Sequence, residues 1–225
     1  MFWFWDPTII LLIPALIFAL WAQNKVKGEY MRWSQVLVRR GLTGAEVAKM
    51  ILSANRLDVK IETTPVELGD HYDPRRKVLR LSPGVYGEST VAAVGIAAHE
   101  CGHAIQHAKS YTPLVIRSAI VPVVSLGTNL AFPLFIFGIF FAIPSLVKLG
   151  IILFSGAVAF HLVTLPVEFD ASKRALNTLS LLQILSPEEL EGARRVLNAA
   201  ALTYVAAAAM AILNLLRMIL IARRR

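Results

Sequence analysis

The chain of 225 residues alternates long apolar blocks with two polar stretches. The apolar blocks run from about Pro7 to Ala22, Ser118 to Ile143, Leu146 to Leu165 and, rich in alanine, Ala199 to Ala222. Their lengths approach or exceed the ~20 residues a helix needs to cross a hydrocarbon core, so about four transmembrane helices are predicted. Pro144-Ser145 is the tight connection between the middle two. Trp3, Trp5 and Trp21 lie near the ends of the first block, where amphipathic rings favour the membrane interface. No basic segment precedes that block and no small-residue cleavage pattern follows Ala22, so it reads as an anchor.

The polar stretches hold the rest of the predicted structure. Residues 23–112 are numerous enough for a small domain, and 166–198 for a second helical segment. Thr43 to Arg56 carries Val47, Met50 and Ile51 at helical spacing, which predicts an amphipathic helix. Val59, Ile61 and Thr63 alternate with Lys60 and Glu62, a half-buried strand pattern. Val78 to Leu81 is a second strand, after a turn at Asp73-Pro74-Arg75-Arg76. The two strands would form either a small sheet whose free edge pairs with an extended peptide or a purely structural hairpin. Small apolar residues from Thr90 to Ala98 predict a buried helix of about twenty residues, capped near Glu88-Ser89-Thr90 and ended by the polar run Gln106 to Ser110. The organisation expected is therefore an anchor (1–22), a cytoplasmic helix-and-strand region (23–112), a two-span hairpin (113–165), a second cytoplasmic helical region (166–198), and a last span with a basic tail (199–225).

Composition and charge fix the setting. The chain is 56% hydrophobic with a mean hydropathy of +0.60, far above an ordinary soluble domain. Its formal charge of +8 comes without a nucleic-acid-binding motif, and the charges crowd the flanks of the apolar blocks, so attraction to anionic lipid is the simpler account. No Lys or Arg precedes the first block, whereas Gln23 to Thr112 has thirteen and Pro166 to Leu197 has Lys173, Arg174, Arg194 and Arg195. The positive-inside rule then places the N-terminus outside and both polar stretches in the cytoplasm. The tail Arg223-Arg224-Arg225 runs against this, because four full spans would carry it outside. The single cysteine, Cys101, allows no internal disulfide and suits a reducing compartment.

Candidate chemistry concentrates at His99-Glu100-Cys101-Gly102-His103. Four helical residues advance by about 400°, so the two imidazoles face the same way and can share one tetrahedral zinc. Glu100 then reaches toward the open coordination position, where zinc lowers the pKa of a bound water and a base can take its proton. The pattern is the H-E-x-x-H of zinc peptidases; the bland alternative is a buried helix with two satisfied histidines. A catalytic zinc usually takes three protein ligands. His107 lies about 6 Å further along the same helix, too far to join the pair, and reads as a helix-surface or supporting residue. Glu168 opens the second polar stretch, and two spans separate it from the histidines, so the hairpin returns it to the same membrane face. It is the expected third ligand, and Asp170 the alternative. Both could instead simply favour the N-terminus of a new helix starting at Pro166 and running through Lys173 to Leu182. Oxyanion or supporting roles fall to His71, Tyr86, His161 or Arg174. His161 is noted because an ionisable residue deep in a span is a functional suspect. Cys101 points about 200° away from His99 and reads as core packing.

His99-Glu100-x-x-His103, followed by two spans and then Glu168-Phe169-Asp170-Ala171-Ser172, resembles the membrane-embedded zinc metallopeptidases of the YugP-like type. The resemblance extends to Asp70-His71-Tyr72-Asp73-Pro74-Arg75 and Leu79-Arg80-Leu81-Ser82 and covers most of the chain. More distantly the chain is similar to the HtpX and CAAX-prenyl-protease group of gluzincins, which carries an aspartate where Ser172 stands here; that comparison implies that Ser172 takes the aspartate's supporting role or that the role is met differently. The resemblance implies a mainly α membrane protein with a small α+β gluzincin-like zinc-peptidase domain at the cytoplasmic face. It also implies one Zn2+ bound by His99, His103 and Glu168, with Glu100 catalytic. The partners would be the lipid bilayer and a membrane-associated peptide or protein substrate, with no nucleic acid. The distant relatives imply a role in membrane-protein quality control. Two other readings compete. One is a site-2-type intramembrane protease, disfavoured because the apolar stretch before His99 is too short to be a span. The other is a non-catalytic scaffold or chaperone with a structural zinc, disfavoured because zinc binding alone needs no base at position 100.

Overall fold

The computed structural model describes residues 7–223; Trp3, Trp5, Arg224 and Arg225 lie outside them. After a 3-10 turn over Pro7–Leu12 come α1 (Ile13–Trp33), α2 (Gly44–Ala54), β1 (Lys60–Thr63), β2 (His71–Asp73) and β3 (Val78–Leu81). Then follow α3 (Pro83–Gly87), α4 (Val91–Ala108), α5 (Thr112–Phe140), α6 (Pro144–Leu181) and α7 (Pro187–Arg223). These residues divide into two compact units.

One unit comprises Asn24–Val115 and Pro166–Ala201. Its centre is α4, whose small side chains let neighbours approach closely. Thr90 caps the helix, its hydroxyl accepting from the Ala93 amide. Ala92, Ala97, Ala98, Cys101 and Ala104 are buried in one apolar core with Val47 and Ile51 of α2, Leu79 and Leu81 of β3, and Leu179 of α6. The amphipathic helix predicted over Thr43–Arg56 is α2, opened by a reciprocal cap: the Thr43 hydroxyl accepts from the Glu46 amide, and the Glu46 carboxylate accepts from the Thr43 amide. The tightest approach brings α6 against α4. A Cβ on Gly102 would stand 2.4 Å from the Ala171 carbonyl oxygen, so only glycine fits between the two backbones.

The sheet differs from the two-strand expectation. β1 and β3 form where alternation predicts them, yet they pair in parallel, which excludes a hairpin between them. The antiparallel partner of β3 is β2, with Tyr72 opposite Leu79, and the strand order is β1-β3-β2. This leaves β2 as an edge, beside α4.

The other unit comprises the residues up to Gln23, Ile116–Leu165 and those from Leu202 onward. Among the described residues, four helices are long and apolar enough to cross a membrane: the turn with α1, then α5, α6 and α7. Large apolar side chains such as Ile17, Val123, Leu126 and Phe140 are more than half exposed, a surface suited to hydrocarbon rather than water. The α5–α6 hairpin closes on glycine, since a Cβ on Gly138 would lie 2.6 Å from the Val147 nitrogen. Small residues at helix contacts are how apolar spans pack when no hydrophobic force drives them together.

Two helices cross the expected boundaries. α6 runs unbroken through Pro166, where a new helix is expected, and α7 begins at Pro187 and joins the second polar stretch to the last apolar block. Proline removes one backbone donor and crowds the preceding turn, a defect that apolar helices tolerate where neighbouring groups take up the freed carbonyl.

Candidate metal centre

The H-E-x-x-H residues lie in the second half of α4, and Glu168 faces them from α6 across the Gly102–Ala171 contact. One ligand atom each from His99, His103 and Glu168 lies within 4.8 Å of the others. The two Nε2 atoms converge on a single carboxylate oxygen, Glu168 Oε2, at 3.3 and 3.6 Å. The carboxylate is buried, while both imidazoles keep an accessible edge. Burial disfavours the protonated form of His103. The hydrogen bond and charge of Glu168, with the charge of Glu100, outweigh it and hold the pKa above the usual imidazole value.

The far nitrogens of both rings are also held. Gln106 Oε1 lies 3.0 Å from His103 Nδ1, and the Gln106 amide donates to the Val167 carbonyl and to Asp170 Oδ2, both at 2.8 Å. Those two acceptors fix which way the amide points, because its nitrogen must face them. Its oxygen can then only accept, so Nδ1 of His103 donates to it and Nε2 is the nitrogen turned toward Glu168. Asp170 is in turn gripped by the Arg174 guanidinium, which stacks over the Tyr111 ring. On the other ring, Ser172 Oγ lies 3.1 Å from His99 Nδ1. Two imidazole nitrogens and one carboxylate, converging with hydrogen bonds to the far nitrogens in place, make a donor set that fits a zinc ion.

Glu100 is buried on the sheet side of α4, its Oε2 accepting the Tyr72 backbone N–H at 3.0 Å. That amide belongs to the edge strand β2, so the strand aims the carboxylate. The Tyr72 hydroxyl meets His107 Nδ1 at 2.9 Å, which gives His107 a partner outside the donor set. Cys101 faces the core, with Sγ 3.7 Å from the Ala48 carbonyl, and burial followed by the Glu100 charge pushes its thiol pKa up.

The remaining candidates scatter. Ser172 touches a candidate ligand, and Arg174 acts on His103 only through Asp170 and Gln106. Asp170, the alternative ligand, spends its carboxylate on those two neighbours. His71 bonds the Gly69 carbonyl through Nδ1 and meets Arg80 through Nε2. Tyr86 is exposed on α3. His161 belongs to the other unit, its ring against Phe160. Sequence reasoning missed Gln106 and Tyr72. The one available signal for Gln106 was a polar side chain one turn beyond His103, on the histidine face of a helix that is otherwise small and apolar there.

Gln106→Leu keeps the bulk and removes the acceptor, so zinc affinity should fall by about 10- to 100-fold, read by competition with a chromophoric chelator. Affinity and turnover equal to wild type would reduce Gln106 to packing.

An H-E-x-x-H helix facing a carboxylate from a second helix is an arrangement that could hold one metal ion. The chain belongs to the family described as "Putative neutral zinc metallopeptidase", which matches residues 8–223. It is 47% identical over 214 residues, covering 95% of each chain, to the Bacillus subtilis (strain 168) protein described as "Putative membrane protease YugP". No solved structure matches it.

Proposed function

We propose that this protein is a multi-pass, membrane-embedded zinc endopeptidase of the gluzincin type. Its site works at the cytoplasmic face, on membrane-associated proteins, in the service of membrane-protein quality control. The observation that carries this reading is the convergence of His99, His103 and Glu168 with Glu100 beside them. A zinc ion held by those three ligands would supply Lewis-acid polarisation of the scissile carbonyl and of water. The chain supplies the rest. Glu100, aimed by the Tyr72 amide, accepts a proton from the attacking water and returns it to the leaving amine. Gln106 and Ser172 hold the two imidazoles in orientation. Four apolar helices and the name of the relative support the membrane setting. The excess of Lys and Arg in both polar stretches supports the cytoplasmic side.

The test is hydrolysis of a membrane-protein substrate by the full chain in mild detergent. Chelation should abolish cleavage and one equivalent of zinc restore it, with cuts mapping to soluble tails or loops. Cuts inside a span would favour the intramembrane protease reading. Stoichiometric zinc without chelator-sensitive hydrolysis would favour a scaffold.

A further inference from the structure

A cavity of about 310 Å³ opens between α5 and α6, within the unit that carries the apolar spans. Ser125, Thr128 and Asn129 line one wall, at the i, i+3, i+4 spacing of a single helix face. His161 lines the other, next to the small Ala157. Elsewhere on α6 the hydroxyls of Ser155 and Thr164 fold back onto their own helix, bonding the Ile152 and Phe160 carbonyls. Among the described residues, the side chains of Ser125, Thr128, Asn129 and His161 meet no hydrogen-bond partner. In hydrocarbon, four such groups facing one open cavity are costly unless something polar enters it.

The chemistry of the lining narrows the occupant. All four side chains can both donate and accept, and no Lys or Arg contributes to the wall. A phosphate headgroup would call for a cation there. The volume admits one or two side chains. A second copy of this chain would present the same concave face, and one concavity does not fill another.

We propose that the α5–α6 cavity docks a membrane-spanning helix of a partner protein, one that carries an uncharged polar side chain such as Asn or Gln at mid-depth. The polar side chain enters the cavity and satisfies Asn129, His161 and the two hydroxyls, while the apolar helix packs along the rim. The proposal rests on the membrane part of the functional reading and is independent of hydrolysis.

The full chain is reconstituted in phosphatidylcholine vesicles with a single-spanning Leu/Ala peptide bearing either Asn or Leu at its centre. Binding is read by Förster transfer from a label on Ser145→Cys. Cys101 stays silent because it is buried. The Asn peptide should bind about three- to tenfold more tightly than the Leu peptide. Asn129→Leu and, separately, His161→Leu should erase that preference, and Asn129→Leu should keep the zinc content and helical circular dichroism of wild type. Equal affinity for the two peptides, or a preference that survives both substitutions, would overturn the proposal. So would transfer between copies of the chain that excludes the peptide. Failure of the protein to float with the vesicles would instead sink the membrane reading on which it stands.

Discussion

Glu100→Gln should retain one zinc per chain and slow peptide hydrolysis by about 10²- to 10⁴-fold, the range that a positioned general base contributes. The substitution isolates proton transfer. Gln has nearly the size of Glu, and its amide oxygen can still accept the Tyr72 N–H that now holds Glu100 Oε2 at 3.0 Å. The side chain therefore keeps its place between α4 and the edge strand but can no longer take a proton. Zinc content by atomic absorption and single-turnover cleavage, measured on the same preparation, separate the two functions. Turnover within tenfold of wild type would move the proton acceptor to another residue. Loss of zinc along with activity would show that Glu100 shapes the centre rather than the reaction.

How much of this arrangement could be read from the residues depended on the range of the contact. His99 and His103 share a face because helical spacing puts them there, a purely local fact. The position of Glu168 rested on a parity argument, two spans out and back, which gives the membrane face but not the contact. What brings the carboxylate home is the fit of Gly102 against the Ala171 backbone, and a lone glycine in a helix does not announce its neighbour. Gln106 was harder still: its partners Val167 and Asp170 lie more than sixty residues away, and glutamine belongs to no ligand pattern. β2 has three residues, too few for an alternation to register, so the parallel pairing of β1 with β3 was equally hidden. Helix ends were legible to within a few residues, even without their commonest signal. α2, α4, α5 and α6 all turn off through a residue with positive φ, namely Arg56, Ser110, Ala142 and Gln183, where glycine would be the usual signal. Each turn is instead closed by a backbone bond to a carbonyl five residues back, as in Tyr111 N to Gln106 O at 3.0 Å. Pro166 misled in the opposite sense, marking a start where the helix runs through.

Removing the third ligand should have the other large effect. Glu168→Ala should weaken zinc binding by more than the ~100-fold that loss of a supporting hydrogen bond can cause, and abolish hydrolysis with it. The carboxylate is 3% exposed and its Oε2 faces both Nε2 atoms, so no water-exposed group can take its place without rearrangement. Asp170, the nearest alternative in sequence, is held by Gln106 and Arg174; recruiting it would release the amide that orients His103. Alanine also leaves two imidazoles over a small buried gap, so a folding defect must be told apart from a lost ligand. Glu168→Gln does this, because it fills the gap and still offers an oxygen, but a neutral and weaker one. If the residue is a ligand, zinc affinity should fall in the order Glu, Gln, Ala, with thermal unfolding of the zinc-free proteins nearly unchanged between Glu and Gln. Wild-type affinity in Glu168→Ala, measured on folded protein, would mean that the two histidines find their third donor elsewhere, and the proposed hydrolytic centre would have to be rebuilt around it.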